Sequence, residues 1–250
     1  MNSLSSSPSS NTDTEVYEPV TIIGDEFQVN LRPSVYERLT KPLMLNLPYA
    51  IKRSMDVIGA LFGLLLLAPV MLGIALLIRF DSPGPVLFRQ LRRGYRDRLF
   101  WVLKFRTMVV DAEQRLKDLE RNNESAGGVL FKLREDPRVT PLGRCLRRSS
   151  LDELPQLINI LRGEMSLVGP RPLQLRDSDK LQTLDHEGYT RRLQVMPGLT
   201  GPWQVGGRSE VDYSHMIKLD IDYMENWSLI GDLRIILQTF VVVVLGRGAY

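Results

Sequence analysis

Cysteine and histidine are nearly absent from this chain. Its 250 residues include one cysteine, Cys145, and two histidines, His186 and His215. A single thiol excludes an internal disulfide and fits a reducing compartment. Cys145 stands among arginines, which can lower a thiol's pKa, although a small apolar filler is the simpler role. Two separated histidines exclude a histidine-rich metal cluster. A large charge excess is missing too: 32 Lys and Arg against 29 Asp and Glu leave a net charge of +3. The basic residues are clustered, which permits nucleic acid or an anionic membrane surface as a partner. Zinc-finger spacing and a basic helix with regular base-reading residues are both lacking, so no nucleic-acid partner is expected. Residues 1 to about 19 have almost nothing apolar and lack the basic start and apolar core of a signal peptide. They read as a disordered tail. Residues 20–47 alternate weakly and predict a strand or two.

Charge disappears altogether from Val57 to Ile78, a run of twenty-two residues. That length can cross a bilayer as a helix. Pro69 sits near its middle, where it removes a backbone hydrogen bond and bends a helix. Lys52 and Arg53 precede the run, and Arg79, Arg89, Arg92 and Arg93 follow it. The positive-inside rule puts both flanks on the cytoplasmic side. A re-entrant helix, kinked at Ala68-Pro69, satisfies both facts. A kinked single span with the N-terminal tail outside is the alternative.

Ser82-Pro-Gly-Pro85 then reads as a turn. Val86–Gln90 and Leu99–Phe105 read as strands joined by a basic, Gly-containing loop, which predicts a β-hairpin. Lys104 and Arg106 flank Phe105 and are expected on one face of a strand, as phosphate-binding cations. Asp111–Asn122 predicts an exposed polar helix, Ser125–Gly128 a break, and Glu135-Asp-Pro-Arg138 a turn.

The densest stretch is Arg144 to Pro172, RCLRRSSLDELPQLINILRGEMSLVGPRP. It joins a basic cluster (Arg144, Arg147, Arg148) to two adjacent carboxylates, Asp152 and Glu153. Guanidinium forks suit phosphate. Paired carboxylates beside them suit a divalent metal, a nucleophile, or both. Ser150-Leu-Asp-Glu153 has the form of a capping box and predicts a helix start. Leu154, Leu157, Ile158 and Leu161 give that helix a buried face. Pro155 fits two placements, bent just past the first turn if Ser150 caps, or within it if Asp152 caps. Either puts both carboxylates at the positive end of a helix. A solvated charged turn is the plain alternative.

Residues 178–194 predict a helix. Met196–Gln204 reads as a rigid loop that can bring backbone N–H groups, Gln204 and Arg208 to a ligand. Residues 211–225 are again helical and contain Asp220-Ile-Asp222. A D-x-D triplet can hold a metal, though Asp177-Ser-Asp179 has the same form by chance. Ile230–Leu245 predicts an apolar terminal helix, or a helix and a strand.

Several of these segments together resemble the bacterial sugar transferases, the monotopic polyprenyl-phosphate phosphoglycosyl transferases that begin surface glycan and exopolysaccharide assembly. They are KRSMDVIGALFGLLLLAPV, SPGPVLFRQLRRG, KFRTM, EDPRVTPLGRCLRRSSLDELPQLINILRGEMSLVGPRP, PGLTGPWQVGGRS and GRGAY, running in family order from Lys52 onward. The resemblance implies an α+β, mostly helical monotopic membrane protein with a small β element. Residues 1–47 would be an N-terminal extension, 48–80 the re-entrant membrane helix, and 81–250 the catalytic domain on the cytoplasmic face of the inner membrane. It implies transfer of a sugar-1-phosphate from a nucleoside diphosphate sugar to a polyprenyl phosphate, with Mg²⁺ as cofactor. Carried over by motif, Asp152 is the nucleophile, Glu153 its Mg²⁺-coordinating neighbour, Arg147 and Arg171 phosphate ligands, and Pro69 the helix-breaking proline. Lys104, Arg106, Gln204 and Arg208 are further candidate contacts. A homo-oligomer is left open. Two other readings stand beside it: a metal-dependent glycosyltransferase using Asp220-Ile-Asp222, and a non-catalytic membrane scaffold.

Overall fold

The computed structural model describes residues 47–119, 133, 135–206 and 213–245. The strands expected within 20–47, apart from Leu47 itself, which is helical, lie outside the described residues, as do the break at Ser125–Gly128 and Arg208. The described chain is mostly helical, with two small two-stranded sheets.

The apolar run becomes α1, Leu47–Asp81, a helix of 35 residues. At 1.5 Å per residue it is about 52 Å long. Helical structure continues through Pro69, so the two expected arms form one element in sequence. Among the described residues it alone is long and apolar enough to cross a membrane. Its middle exposes Phe62, Leu65, Leu66, Val70 and Leu72. Both ends are tied to the rest of the protein. Near the start, Arg53 donates to the Ile160 carbonyl at 2.7 Å, and Lys52 to Asp232 and the Val168 carbonyl at 2.6 and 3.0 Å. Near the finish, Ile74 and Ile78 are buried against Phe105 and Leu146.

The predicted hairpin forms from β1, Leu87–Arg93, and β2, Leu99–Phe105, antiparallel with Leu87 opposite Phe105 and Arg93 opposite Leu99. Alternation along β2 sends Phe100 and Val102 into a core with Ala60, Leu157, Ile160 and Met165. Each such apolar side chain, when fully buried, contributes roughly 1.5–3 kcal/mol of transfer free energy. Lys104 continues the Phe100–Val102 row. Asn159, fully buried, accepts from the Leu103 N–H and donates to the Trp101 carbonyl, which pins β2 to the later helix that carries Asn159, Gln156–Leu161.

The polar helix is α2, Ala112–Leu119, and the basic cluster lies on α3, Pro141–Arg148. Thr140 caps α3 by accepting from Gly143 N, and Pro141 takes the first helical position, where its missing N–H costs nothing. A 3₁₀ turn, Leu151–Glu153, precedes α4, Gln156–Leu161. The expected capping box does not form. Ser150 adopts a left-handed φ of 56° with no side-chain cap, and Glu153 is drawn away to partners distant in sequence.

A parallel pair unannounced by the sequence follows: β3, Ser166–Val168, and β4, Gly198–Thr200. Three residues each are too few for a readable alternation. A Cβ on Gly198 would sit 2.1 Å from the Gly169 nitrogen, so glycine permits this approach. The single helix expected over 178–194 is two, α5, Leu175–Leu184, and α6, His186–Arg192. Asp185 separates them because its side chain caps α6 at Gly188 N. The short α7, Pro202–Val205, leads to α8, Tyr213–Glu225, and α9, Leu229–Leu245, wholly helical where a strand was an option. Leu173, Leu181, Tyr189, Trp203, Met216 and Ile217 form a second core beneath α5–α8.

Candidate active site

The 3₁₀ turn places Asp152 and Glu153 between the hairpin and the Gly169-Pro-Arg-Pro172 turn. Glu153 Oε1 accepts from Lys104 Nζ at 2.6 Å and from Arg171 Nη2 at 2.7 Å. Burial opposes the charge on Glu153, but Arg171 and Lys104 outweigh it and hold the carboxyl far below the usual carboxylate range. Asp152 has the opposite balance. It is buried, its nearest cation is Lys104 Nζ at 4.0 Å, and no described residue donates a hydrogen bond to it. Burial pushes its pKa up, Lys104 opposes this, and the Glu153 charge adds to it. Two adjacent carboxyls thus differ sharply: one is held by two cations at hydrogen-bond distance, and the other is buried with its nearest cation at 4.0 Å.

Arg147 approaches from α3. A Cβ at Gly143 would lie 2.0 Å from the Thr107 carbonyl oxygen, so this glycine lets α3 press onto the segment after β2. Thr140 N donates to the same carbonyl at 3.0 Å. The docking brings Arg147 Nε to Thr107 Oγ1 at 2.9 Å. Burial lowers the Arg147 pKa, and the nearby Asp152 charge opposes that.

Arg171 comes from the turn after β3. Gly169 N donates to the Thr200 carbonyl, and Gly198 N to the Pro170 carbonyl, both at 2.9 Å. The parallel pair therefore fixes the turn's path. The Arg171 guanidinium carbon lies 5.6 Å from the centre of the Trp203 ring, within cation–π range. Arg92 is buried close by, its pKa pushed down to about 10 by burial and by the Arg171 charge.

The structure thus gathers Asp152, Glu153, Lys104, Arg147 and Arg171. Arg106 does not join them. The strand ends at Phe105, so pleat alternation no longer governs residue 106. Its guanidinium instead closes the Ser82–Pro85 turn, donating to the Ser82 and Pro83 carbonyls at 2.7 and 2.8 Å. Gln204 is buried on α7, and Trp203 makes that loop's cation–π contact with Arg171. Pro69 is exposed on α1, and Arg208 lies outside the described residues. Asp220 and Asp222 point apart. Asp220 is fully buried against Arg192, while Asp222 is exposed and accepts from Asn226. A D-x-D metal site is thereby excluded, because residues two apart on a helix diverge.

A family model described as bacterial sugar transferase matches residues 47–246. The chain belongs to the bacterial sugar transferase family. This sugar transferase is 45% identical over 199 residues to a galactosyl transferase, CpsE, of Streptococcus agalactiae, covering 79% of this chain and 43% of that one. It is 44% identical over 202 residues to the exopolysaccharide production protein ExoY of Rhizobium meliloti, covering 80% and 88%. It is 43% identical over 204 residues to the UDP-glucose:undecaprenyl-phosphate glucose-1-phosphate transferase of Caulobacter vibrioides, covering 80% and 72%. It therefore spans less than half of the first relative and most of the other two. As a family member the sugar transferase is an enzyme, and α1 marks it as a membrane-associated one.

Sequence reasoning missed Thr107, Arg92 and Trp203. Thr107 had a usable signal, since KFRTM is one of the recognised segments. Arg92 read as one more basic flank, and Trp203 as part of a rigid loop. Only the tertiary approach of β1 and α7 to the Arg171 turn gives them a place.

Proposed function

We propose that this sugar transferase moves a sugar-1-phosphate from a nucleoside diphosphate sugar, a UDP-sugar by expectation, to a polyprenyl phosphate. The observation that carries the reading is the buried Asp152 carboxylate, without a hydrogen-bond donor among the described residues and flanked by Lys104, Arg147 and Arg171. Such a group is made to attack an electrophile rather than to stabilise a fold. Two relatives carry this substrate class in their names, the Caulobacter vibrioides transferase and an undecaprenyl-phosphate galactose phosphotransferase of Salmonella typhimurium, 41% identical over 204 residues.

In the proposed first step, Arg147 and Arg171 hold the donor's diphosphate oxygens. An Asp152 carboxylate oxygen attacks the phosphorus that bears the sugar. The bond from that phosphorus to the bridging oxygen breaks, and the bridging oxygen leaves with the nucleoside monophosphate. Asp152 then carries the sugar phosphate as an acyl phosphate. In the second step an oxygen of the polyprenyl phosphate attacks the same phosphorus, and the Asp152 oxygen–phosphorus bond breaks. The carboxylate returns, and the product is a polyprenyl diphosphosugar. Ping-pong kinetics follow from this order.

Mg²⁺ is the cofactor we assign. Among the described residues no group of three or more His, Cys, Asp or Glu converges. That suits Mg²⁺, which is held by one or two carboxylates together with substrate phosphates rather than by a protein cage. Asp152 and Glu153 would hold it. Bound there, it would offset negative charge on the diphosphate.

Monotopic insertion from the cytoplasmic face of the inner membrane completes the reading. Contacts at both ends of α1 with one domain support it, since a spanning helix would carry one end away. The basic residues flanking the run support the cytoplasmic face.

The test is the nucleotide released by purified full-length protein given Mg²⁺, a panel of UDP-sugars and polyprenyl phosphate. UMP is expected. UDP would mean ordinary glycosyl transfer and would overturn the proposal.

A further inference from the structure

Two buried guanidiniums grip the turn that carries Arg171. Arg92, on β1, donates from Nη1 to the Pro172 carbonyl at 2.6 Å and is held from behind by Gln90 Oε1. Arg192, the last residue of α6, donates from Nη2 to the Arg171 carbonyl at 2.8 Å. Its Nε donates to Asp220 Oδ2 at 2.9 Å. Asp220 lies on α8 and is fully buried, and its Oδ1 has no partner among the described residues. Two consecutive carbonyls of the turn are thus fixed by side chains from two separate elements, and one of those side chains is aimed by a carboxylate from a third.

Stability alone explains this poorly. A buried ion pair costs desolvation of both charges, and apolar residues of the same volume often stabilise as well or better. An incompletely satisfied carboxylate adds to that cost. What the pair does uniquely is orient a fork: Arg192 can reach Asp220 and the Arg171 carbonyl together because its donors diverge in one plane. The carbonyl it holds belongs to the residue whose side chain meets Glu153.

We propose that Asp220 and Arg192, with Arg92, are positioning residues that set the Arg171 guanidinium for the donor's diphosphate. None of the three touches the reacting atoms in this scheme. The proposal rests on the reading of Arg171 as a diphosphate ligand. Displacing a phosphate clamp by about 1 Å can cost on the order of 100-fold in rate. Loss of the carbonyl grip, with Arg171 itself retained, is expected to act first on donor binding.

The experiment compares full-length wild type with Arg192→Lys and Asp220→Asn. Lysine keeps a charge opposite Asp220 but lacks the fork. Two quantities are measured: the donor KM from nucleotide release, and amide hydrogen exchange of the segment 168–174. For Arg192→Lys the donor KM is expected to rise about tenfold with kcat changed much less, the mark of lost binding. Exchange in 168–174 is expected to quicken several-fold while the acceptor KM stays at its wild-type value. If Asp220→Asn does not fold, Arg192→Lys still decides. Wild-type exchange in 168–174 overturns the clamp whatever the kinetics. Faster exchange with an unchanged donor KM makes the pair merely structural and overturns the positioning role. If wild type itself releases no nucleotide from any donor, the functional reading falls, and exchange alone decides the clamp.

Discussion

Asp152→Asn is expected to lower nucleotide release by at least about a thousandfold while leaving the protein as stable as wild type or more so. The loss follows from removing the proposed nucleophile, since an amide is a poor one. The stability follows from the sign of the pKa shift. Burial raises the folded-state pKa of Asp152 above its unfolded value. The ionised form is then disfavoured by folding at neutral pH, and a neutral isostere removes that cost. Melting curves without Mg²⁺, beside stopped-time nucleotide assays, check both halves. Near-normal turnover would remove Asp152 from the chemistry.

Glu153→Gln is expected to do the reverse to stability. Glu153 is the shared anion of Lys104 and Arg171, and the side chains of all three are at most 26% exposed. Its folded-state pKa lies below the unfolded value, so its charge supports the fold at neutral pH. Removing one member of such a buried set costs about 3 kcal/mol. For a chain of this size that lowers the melting temperature by about 10 °C. Turnover is expected to fall by about a hundredfold or more, because Arg171 and Lys104 lose their alignment along with the proposed Mg²⁺ ligand. Adding Lys104→Met to Glu153→Gln separates the two effects. It removes one orphaned cation and recovers part of the melting temperature, but activity stays low. Recovery of both would reduce Glu153 to a structural counter-ion.

Much of this arrangement was legible in the linear chain, and the reasons differ by element. The charge-free run Val57–Ile78 and the hairpin strands around Leu99–Phe105 were readable because their signals are local, and Ile230–Leu245 was readable as apolar helix with a strand left open. Asp152, Glu153, Arg147 and Arg171 crowd into twenty-nine residues, which drew attention to the stretch, but their separate roles came from the family resemblance. The failures come from tertiary competition. Ser150-x-x-Glu153 has the letters of a capping box, but Lys104 and Arg171 offer Glu153 a stronger interaction than one backbone N–H. Arg106 looked equivalent to Lys104 until the strand stopped between them and the Ser82–Pro83 carbonyls took its guanidinium. Asp220 carried a metal-binding signature, yet its partner is Arg192, twenty-eight positions earlier in the chain. The parallel pair that fixes the Arg171 turn is two three-residue strands thirty-two positions apart, too short to announce themselves.

The covalent intermediate is the claim on which the mechanism turns. The most direct measurement is the intact mass of the full-length protein after brief exposure to a UDP-sugar and Mg²⁺ with no polyprenyl phosphate. A gain of one sugar phosphate per chain is predicted, mapped to the peptide containing Asp152, absent from Asp152→Asn and discharged when polyprenyl phosphate is added. An unmodified mass under conditions where wild type turns over normally with acceptor present would contradict the two-step mechanism and require direct transfer between the two substrates.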